Sequence, residues 1–192
     1  MAEAASRGER LPGGQYGFSL LEIMVVVVII GILVSIFTLS VGSFAENETE
    51  EHARRLEALI RLASEEAAIQ GREIGLRFYQ HGYEFSGRVL SVDEKGQQEW
   101  LWVPLDNDRL LLPRNLSEDF AIELQLDGKE TELEFQRSEP KKDKPYLPQV
   151  FVFSSGEIVP PFNATIRRVF SDEQLTLSVS ADSKLEIMAN EL

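Results

Sequence analysis

An uninterrupted apolar run near the N-terminus is the strongest pattern along the chain. Residues 1–17 are mostly polar, whereas no charged side chain occurs from Ile23 to Val41. As an α-helix, these 19 residues would span roughly 28 Å, which is close to the hydrocarbon thickness of a bilayer. In lipid, a helix satisfies all its backbone hydrogen bonds within a single segment. The pattern predicts a transmembrane helix over 18–44, preceded by a polar segment over 1–17.

The next segment, 45–71, has the periodicity of an amphipathic helix. One face would carry charged side chains, among them Glu57, Arg61 and Glu65. The other face would carry the apolar residues Leu56, Leu59, Ile60, Ala63 and Ala67. We expect this helix to end near Gly71 and to pack its apolar face on a sheet.

Beyond Gly71 the chain changes to short runs rich in β-forming residues, which predicts a β-rich domain over 72–192. Leu175, Leu177 and Val179 alternate with polar residues, as in a strand with one buried face. The predicted strands are Ile74–Tyr79, Tyr83–Ser86, Trp100–Val103, Phe120–Leu126, Thr131–Gln136, Val150–Phe153, Ala164–Phe170, Gln174–Ser180 and Lys184–Met188.

Turn signals separate these runs. His81-Gly82 and Asp127-Gly128 are typical of tight connections between antiparallel strands. The segment 138–148 has no apolar face and predicts an exposed loop. The expected fold class is α+β, with a long N-terminal helix packed on an antiparallel β-sheet or a small β-sandwich.

Charge and cysteine content narrow the possible functions. The formal net charge is −13, and phosphate binding requires clustered Lys and Arg, so nucleic acid is not expected as a partner. The absence of cysteine excludes disulfides, thiolate metal sites and a cysteine nucleophile. The two histidines, His52 and His81, lack the spacing of a zinc site.

One serine pair invites an enzymatic interpretation. Ser154 and Ser155 precede Gly156, but the surrounding sequence lacks the G-x-S-x-G elbow of a serine hydrolase. His81 would have to act as the base without any supporting spacing. A turn before Glu157 is the preferred interpretation, so no catalytic or cofactor-binding residue and no enzymatic activity are predicted.

Two acidic pairs could offer oxygen ligands to calcium. They are Asp106 with Asp108 and Asp172 with Glu173. No loop matches an EF-hand, and acidic pairs in turns are usually solvated. No metal site is predicted, and calcium binding in these turns stays open as an alternative.

Glu22 lies at the edge of the apolar run, where a carboxylate requires a partner or a function because its burial in a bilayer is costly. Arg7 and Arg10 precede the run, and several glutamates follow it. By the positive-inside rule, Arg7 and Arg10 predict a cytoplasmic N-terminus.

The sequence GFSLLE at 17–22, followed by a long apolar helix, resembles the class III signal of type IV prepilins. The resemblance implies that a prepilin peptidase cuts between Gly17 and Phe18 and that Phe18 becomes N-methylated. It also implies that Glu22 serves in filament assembly. A carboxylate in a low-dielectric setting would neutralise the new amine of a neighbouring subunit.

Later segments resemble the H-type minor pseudopilins (general secretion pathway protein H) of type II secretion systems. They are residues 53–78, 82–85, 100–105 and 148–158. The resemblance implies a pilin-like fold in a single-pass protein of the bacterial inner membrane, with a periplasmic C-terminal domain. It places the chain at or near the tip of the periplasmic pseudopilus, which drives export of folded exoproteins across the outer membrane.

The same resemblance implies a set of partners. These are the major pseudopilin, the minor pseudopilins of the I, J and K types, the prepilin peptidase and the inner-membrane assembly platform, with the secretin or an exoprotein as further contacts. H-type proteins also resemble minor pilins. The alternative is therefore a minor pilin of a type IV pilus, acting in pilus assembly, twitching motility or DNA uptake. A signal-anchored periplasmic enzyme or binding protein is a third class, which the motif at 17–22 disfavours.

Overall fold

The computed structural model describes residues 20–92, 96–137 and 146–189, without the side chains of 36–47. The chain divides into two compact units, Met1–Ser43 and Phe44–Leu192. A single helix, α1, runs from Leu20 to Gln70 and contributes residues to both units. The eleven strands found in the described ranges all belong to the second unit.

Within the second unit, ion pairs along α1 and a glycine at its end explain why this segment is helical. Ion pairs at i,i+4 spacing join Glu50 to Arg54, Glu51 to Arg55 and Glu57 to Arg61. Each such pair stabilises a helix by roughly 0.2–0.5 kcal/mol. Gly71 has a φ of 62°, and the N–H of Arg72 donates to the carbonyl of Ala67 at 3.1 Å, which closes the last turn. The predicted end of the helix is confirmed.

The first sheet has six strands and is antiparallel throughout. Its strands are β1 (Ile74–Tyr79), β2 (Gly82–Val92), β3 (Gln98–Pro104), β4 (Arg114–Asn115), β7 (Val150–Val152) and β8 (Ile158–Val159). The spatial order is β3-β2-β1-β7-β8, with β4 paired to β2. Strand β1 therefore lies between its sequence neighbour and a strand that follows it by more than seventy residues.

The second sheet has five strands in the order β11-β10-β9-β5-β6 and is also antiparallel. Its strands are β5 (Phe120–Leu126), β6 (Lys129–Thr131), β9 (Phe162–Arg168), β10 (Gln174–Val179) and β11 (Leu185–Ala189). Asp127 and Gly128 both have positive φ in the β5–β6 connection, which confirms the turn predicted there.

The apolar face of α1 and both sheets share one hydrophobic core. Leu56, Ile60 and Ala63 are fully buried in it, as the helical periodicity predicts. The rings of Phe78 in β1 and Phe162 in β9 lie 5.6 Å apart and connect the two sheets. The α+β fold class, with a helix on antiparallel sheets, is confirmed.

The interval 131–136 departs from the predicted strands. Strand β6 ends at Thr131, and the next residues are not a strand. The carbonyl of Glu134 instead accepts from the N–H of Gln80, and the carbonyl of Leu133 accepts from the Gln80 side chain. The prediction of a strand over Thr131–Gln136 was wrong because these hydrogen bonds go to the β1–β2 turn and not to β5. The two-residue strands β4 and β8 were not predicted.

The predicted exposed loop, 138–148, is described only for its last three residues. Leu147 is exposed, but Pro148 is buried. A Cβ added at Gly75 would lie 2.5 Å from Cγ of Pro148, so β1 admits no side chain at this point. The prediction of an exposed loop is therefore wrong for Pro148.

Candidate functional site

The first candidate site is the N-terminal motif. Gly17 and Phe18 lie outside the described residues. Glu22 occupies the first turn of α1 and is exposed. The free N–H groups and the dipole of a helix N-terminus favour a negative charge in this turn.

The surroundings of Glu22 in the first unit are apolar. The large apolar side chains described from Leu20 to Val34 have relative exposures between 43% and 79%. No helix within the described ranges combines the length and the hydropathy of a membrane span. Glu22 is thus flanked along the helix by exposed Leu, Ile, Met and Val side chains.

The serine pair forms a turn. The N–H of Gly156 donates to the carbonyl of Phe153 at 2.9 Å, and Gly156 has a φ of 85°. This turn connects β7 to β8, as the interpretation of Ser154-Ser155-Gly156 predicts. His81 is engaged elsewhere, because its Nδ1 lies 2.7 Å from the carbonyl oxygen of Phe120.

Asp106 and Asp108, the first of the acidic pairs considered for calcium, have other contacts. Asp108 Oδ1 accepts hydrogen bonds at 2.9 Å from the N–H groups of Leu110 and Leu111, and these bonds lower the pKa of Asp108. Asp106 pairs with Arg137. In the part of the chain that the structure describes, no three His, Asp or Glu side chains converge as they would around a metal ion.

A buried carboxylate in the first sheet was missed by the sequence analysis. Glu84 in β2 is 1% exposed, and its carboxylate accepts a hydrogen bond from the hydroxyl of Tyr79. Nε of Arg137 lies 2.5 Å from Oε2 of Glu84, and Arg137 also contacts Asp106. Every residue from Gly82 to Gly87 in β2 is buried, so no alternation marked Glu84 as internal.

The phenols near Glu84 are held in their protonated form. Burial and the neighbouring Glu84 carboxylate raise the pKa of both Tyr79 and Tyr146. Burial alone raises the pKa of Tyr83 to about 12. A protonated Tyr79 can donate to a carboxylate, and the Arg137 guanidinium supplies a positive charge, so this cluster stabilises a buried charge.

The fold resembles solved structures of minor pseudopilins. A crystal structure of the minor pseudopilin EpsH from the type II secretion system of Vibrio cholerae matches with a TM-score of 0.56 and 24% identity, over 77% of this chain and 98% of that one. The solution structure of Escherichia coli GspH matches with a TM-score of 0.51 and 24% identity, over 76% of this chain and 90% of that one. At this identity the likeness establishes the fold.

Two family models match the sequence. The prokaryotic N-terminal methylation motif matches residues 13–38, and the type II transport protein GspH matches residues 52–183. The motif and the fold define a pilin-like protein of the membrane-anchored class. The chain belongs to the GspH family of type II transport proteins.

Curated relatives agree with this assignment. The type II secretion system protein H of Aeromonas hydrophila is 30% identical over 182 residues, covering 92% of this chain and 95% of the relative. That of Pseudomonas aeruginosa is 35% identical over 146 residues, covering 75% of this chain and 78% of the relative. The chain is therefore a minor pseudopilin of a type II secretion system, which confirms the secretion prediction over the type IV pilus alternative.

Proposed function

We propose that this chain is made as a prepilin, processed at its N-terminus and inserted at or near the tip of the periplasmic pseudopilus. The observation that carries the proposal is a methylation motif over 13–38 that precedes the GspH match over 52–183. Prepilin peptidase cuts between Gly17 and Phe18, so that the mature chain begins with an N-methylated Phe18. Residues 1–17 are then the removed leader.

Glu22 sets the register of the subunit in the filament. Cleavage creates a positive amine at Phe18, in a setting with little water. The Glu22 carboxylate of one subunit neutralises the Phe18 amine of its neighbour when the helices stack with an axial offset. Low dielectric strengthens this attraction and penalises either group when its partner is absent.

The mature protein crosses the bacterial inner membrane once, through 18–44, with a cytoplasmic N-terminus. The amphipathic helix over 45–71 and the β-rich domain over 72–192 lie in the periplasm, and the arginines that precede the apolar run, Arg7 and Arg10, support this orientation. Membership of the family implies assembly with other pilin-like subunits. We propose that these are the major pseudopilin and the I-, J- and K-type minor pseudopilins.

The position of the chain in the pseudopilus also implies contacts with other components of the secretion system. The prepilin peptidase processes the chain, and the inner-membrane assembly platform adds it to the filament. The secretin or an exoprotein meets it at the tip. The chain contributes shape and contacts to the export of folded exoproteins and catalyses no reaction itself.

Deletion of the chain tests this function. We expect exoproteins to disappear from the culture medium and to accumulate in the periplasm, while surface pili and twitching stay intact. Expression of the full chain from a plasmid should restore secretion. Intact secretion in the deletion strain would contradict the proposed role, and lost pili with intact secretion would assign the chain to a pilus.

A further inference from the structure

A groove in the second unit lies between the Thr49–Glu57 part of α1 and the strands β10 and β11. Its volume is about 740 Å³. Leu175 and Ile187 supply apolar lining from the two strands, and the β9–β10 turn contributes Asp172 and Glu173. We call this cleft the foot groove. The foot groove lies between α1 and the β10–β11 hairpin at the edge of the second sheet, and it has room for side chains of another molecule.

The charge of the foot groove is negative. Four carboxylates line it, from Glu50, Glu57, Asp172 and Glu173, against the single guanidinium of Arg54. Arg54 is paired with Glu50 at 2.5 Å, and Glu57 is paired with Arg61 at 2.7 Å, so the excess negative charge comes from Asp172 and Glu173. The combination of excess negative charge and apolar lining favours a ligand that presents a basic group beside apolar atoms.

Buried polar atoms in the foot groove have unused hydrogen-bonding capacity. Thr49 is 2% exposed, and its hydroxyl has no hydrogen-bond partner within the described part of the chain. Oε2 of Glu173 is also buried without a partner there. Buried polar groups in folded proteins are nearly always satisfied, so two such atoms in one groove indicate that a further polar group completes it.

An exposed aromatic side chain belongs to the same β9–β10 turn that contributes Asp172 and Glu173 to the groove. Phe170 is 101% exposed and has a φ of 69°, in the left-handed region that non-glycine residues seldom adopt. The turn that presents it is held by two hydrogen bonds. The N–H of Arg168 donates to the carbonyl of Glu173 at 3.0 Å, and the N–H of Glu173 donates to the hydroxyl of Ser171 at 3.1 Å.

Phe170 thus has the features of a docking anchor. A fully exposed aromatic ring gains nothing from folding, and its backbone conformation is unfavourable for a phenylalanine. Aromatic residues of this kind contribute much of the binding energy when they enter a pocket of a partner. The ring lies two residues from Asp172, so one partner can engage both the ring and the acidic groove.

We infer that the foot groove and Phe170 together form a docking surface for a different pilin-like subunit, which places a Lys or Arg side chain in the groove and receives Phe170 in an apolar recess. A second copy of this chain fits poorly, because its net charge of −13 opposes approach to an acidic groove. The inference rests on the proposed function, since it assigns the surface through which the subunit meets its neighbour.

Photo-crosslinking from position 170 tests the docking surface directly. A benzophenone-bearing phenylalanine replaces Phe170 in the full chain, expressed in cells that contain the whole secretion machinery. We expect a light-dependent adduct with another pilin-like subunit, identified by mass spectrometry. The same probe at Ile69, which is 84% exposed and outside the groove, serves as the control and should give an adduct yield at least about tenfold lower.

Three outcomes of this experiment would overturn the inference. They are an adduct with a second copy of the chain, an adduct with an exported protein, and no adduct at position 170 above the Ile69 control. Because Phe170 is fully exposed, the substitution does not disturb the core, so a negative result cannot be attributed to misfolding.

Charge reversal supplies an independent test of the acidic groove. Asp172→Lys should reduce the adduct yield from position 170 at least about tenfold. The matched control is Glu99→Lys on the exposed face of β3, which makes the same change in net charge away from the groove. Equal yields for the two variants would contradict the acidic-groove part of the inference.

Experiments can distinguish an error in this inference from an error in the proposed function. If deletion of the chain stops secretion but Asp172→Lys and Phe170→Ala leave both secretion and subunit contacts intact, only the docking surface is wrong. If deletion leaves secretion intact, the proposed function itself is wrong.

Discussion

Glu22 combines two opposing influences at a single residue. The first turn of a helix favours its negative charge, whereas the exposed apolar side chains beside it suit an environment in which an isolated carboxylate is costly. In the proposed filament, the Phe18 amine of a neighbouring subunit supplies a positive charge at this position. Since Phe18 and Glu22 are four residues apart, an axial offset between neighbouring helices can bring the amine of one subunit to the carboxylate of the other.

Replacing Glu22 with leucine should separate processing from assembly. We expect Glu22→Leu to insert and to be cleaved normally, because the Gly17–Phe18 bond is unchanged, yet to co-purify with the other subunits at least about tenfold less than the parent chain. Met24→Leu, a substitution in the same apolar run, should behave like the parent. Normal co-purification of Glu22→Leu would remove the register role.

The ion pair between Glu84 and Arg137 gives a second prediction for single residues. Arg137→Met would leave the Glu84 carboxylate buried without its cation, which we expect to lower the free energy of unfolding by about 3 kcal/mol. Urea unfolding of the full chain in detergent micelles, followed by tryptophan fluorescence, measures the change. Adding Glu84→Gln to that variant should restore part of the loss. A double variant as unstable as Arg137→Met would show that lost packing, and not the charge, is the cause.

Among the secondary-structure elements, α1 contacts the second sheet through His52. The imidazole packs edge-to-face on Phe120 of β5, with ring centroids 4.7 Å apart. Burial, followed by the nearby Arg55, lowers the pKa of His52, whereas Glu51 and Glu48 act in the opposite direction. The helix–sheet contact therefore favours the neutral imidazole.

This shift predicts a pH dependence of stability with a defined sign. Because the pKa of His52 is lower in the folded state, the unfolded chain binds a proton first as the pH falls below about 6.5. Stability should be fully present above that pH and should be lost progressively down to the folded pKa. His52→Gln should lose less stability between pH 7.5 and pH 5.5 in urea unfolding. Equal losses in both chains would assign the dependence to other groups.

The sequence predicted strands correctly where a short stretch of residues alone marked their bounds. Strands β1 and β5 have the predicted bounds, because short runs rich in β-forming residues defined them. The strand predicted over 131–136 was wrong. Leu133 and Phe135 alternate with polar residues as in a strand, but the carbonyls of Leu133 and Glu134 accept hydrogen bonds from Gln80 in the distant β1–β2 turn. Strands β4 and β8 have two residues each, which is too few for any periodicity.

For the molecule as a whole, the net charge of −13 opposes contact between identical copies. Salt shortens the range of this repulsion, since the Debye length falls from about 30 Å at 0.01 M to about 8 Å at 0.15 M. We expect the full chain in neutral detergent micelles to remain monomeric at low salt and to self-associate more as the salt concentration rises or the pH approaches the sequence pI near 4.6. Sedimentation velocity measures this change, and self-association that weakens with added salt would contradict the argument.

The candidate sites differ in how far apart their residues lie along the sequence. The motif at 17–22 is contiguous, so it could be identified from the sequence alone. The foot groove requires α1, the β9–β10 turn and β11 to come together, and the sequence analysis considered Asp172 and Glu173 only as calcium ligands. The Glu84 cluster was hidden for the same reason, because Arg137 approaches β2 only in the folded chain.

The position of β1 between β2 and β7 governs when the domain can fold during synthesis. Ile74 pairs with Gly87 soon after both have been made, but it also pairs with Val152, which emerges only after most of the chain. The core around α1 lacks Val150 and Val152 until then, and β5 pairs with β9 only after still more of the chain has been made. The nascent domain therefore remains a substrate for chaperones and proteases for most of its elongation and reaches its native state in one late step.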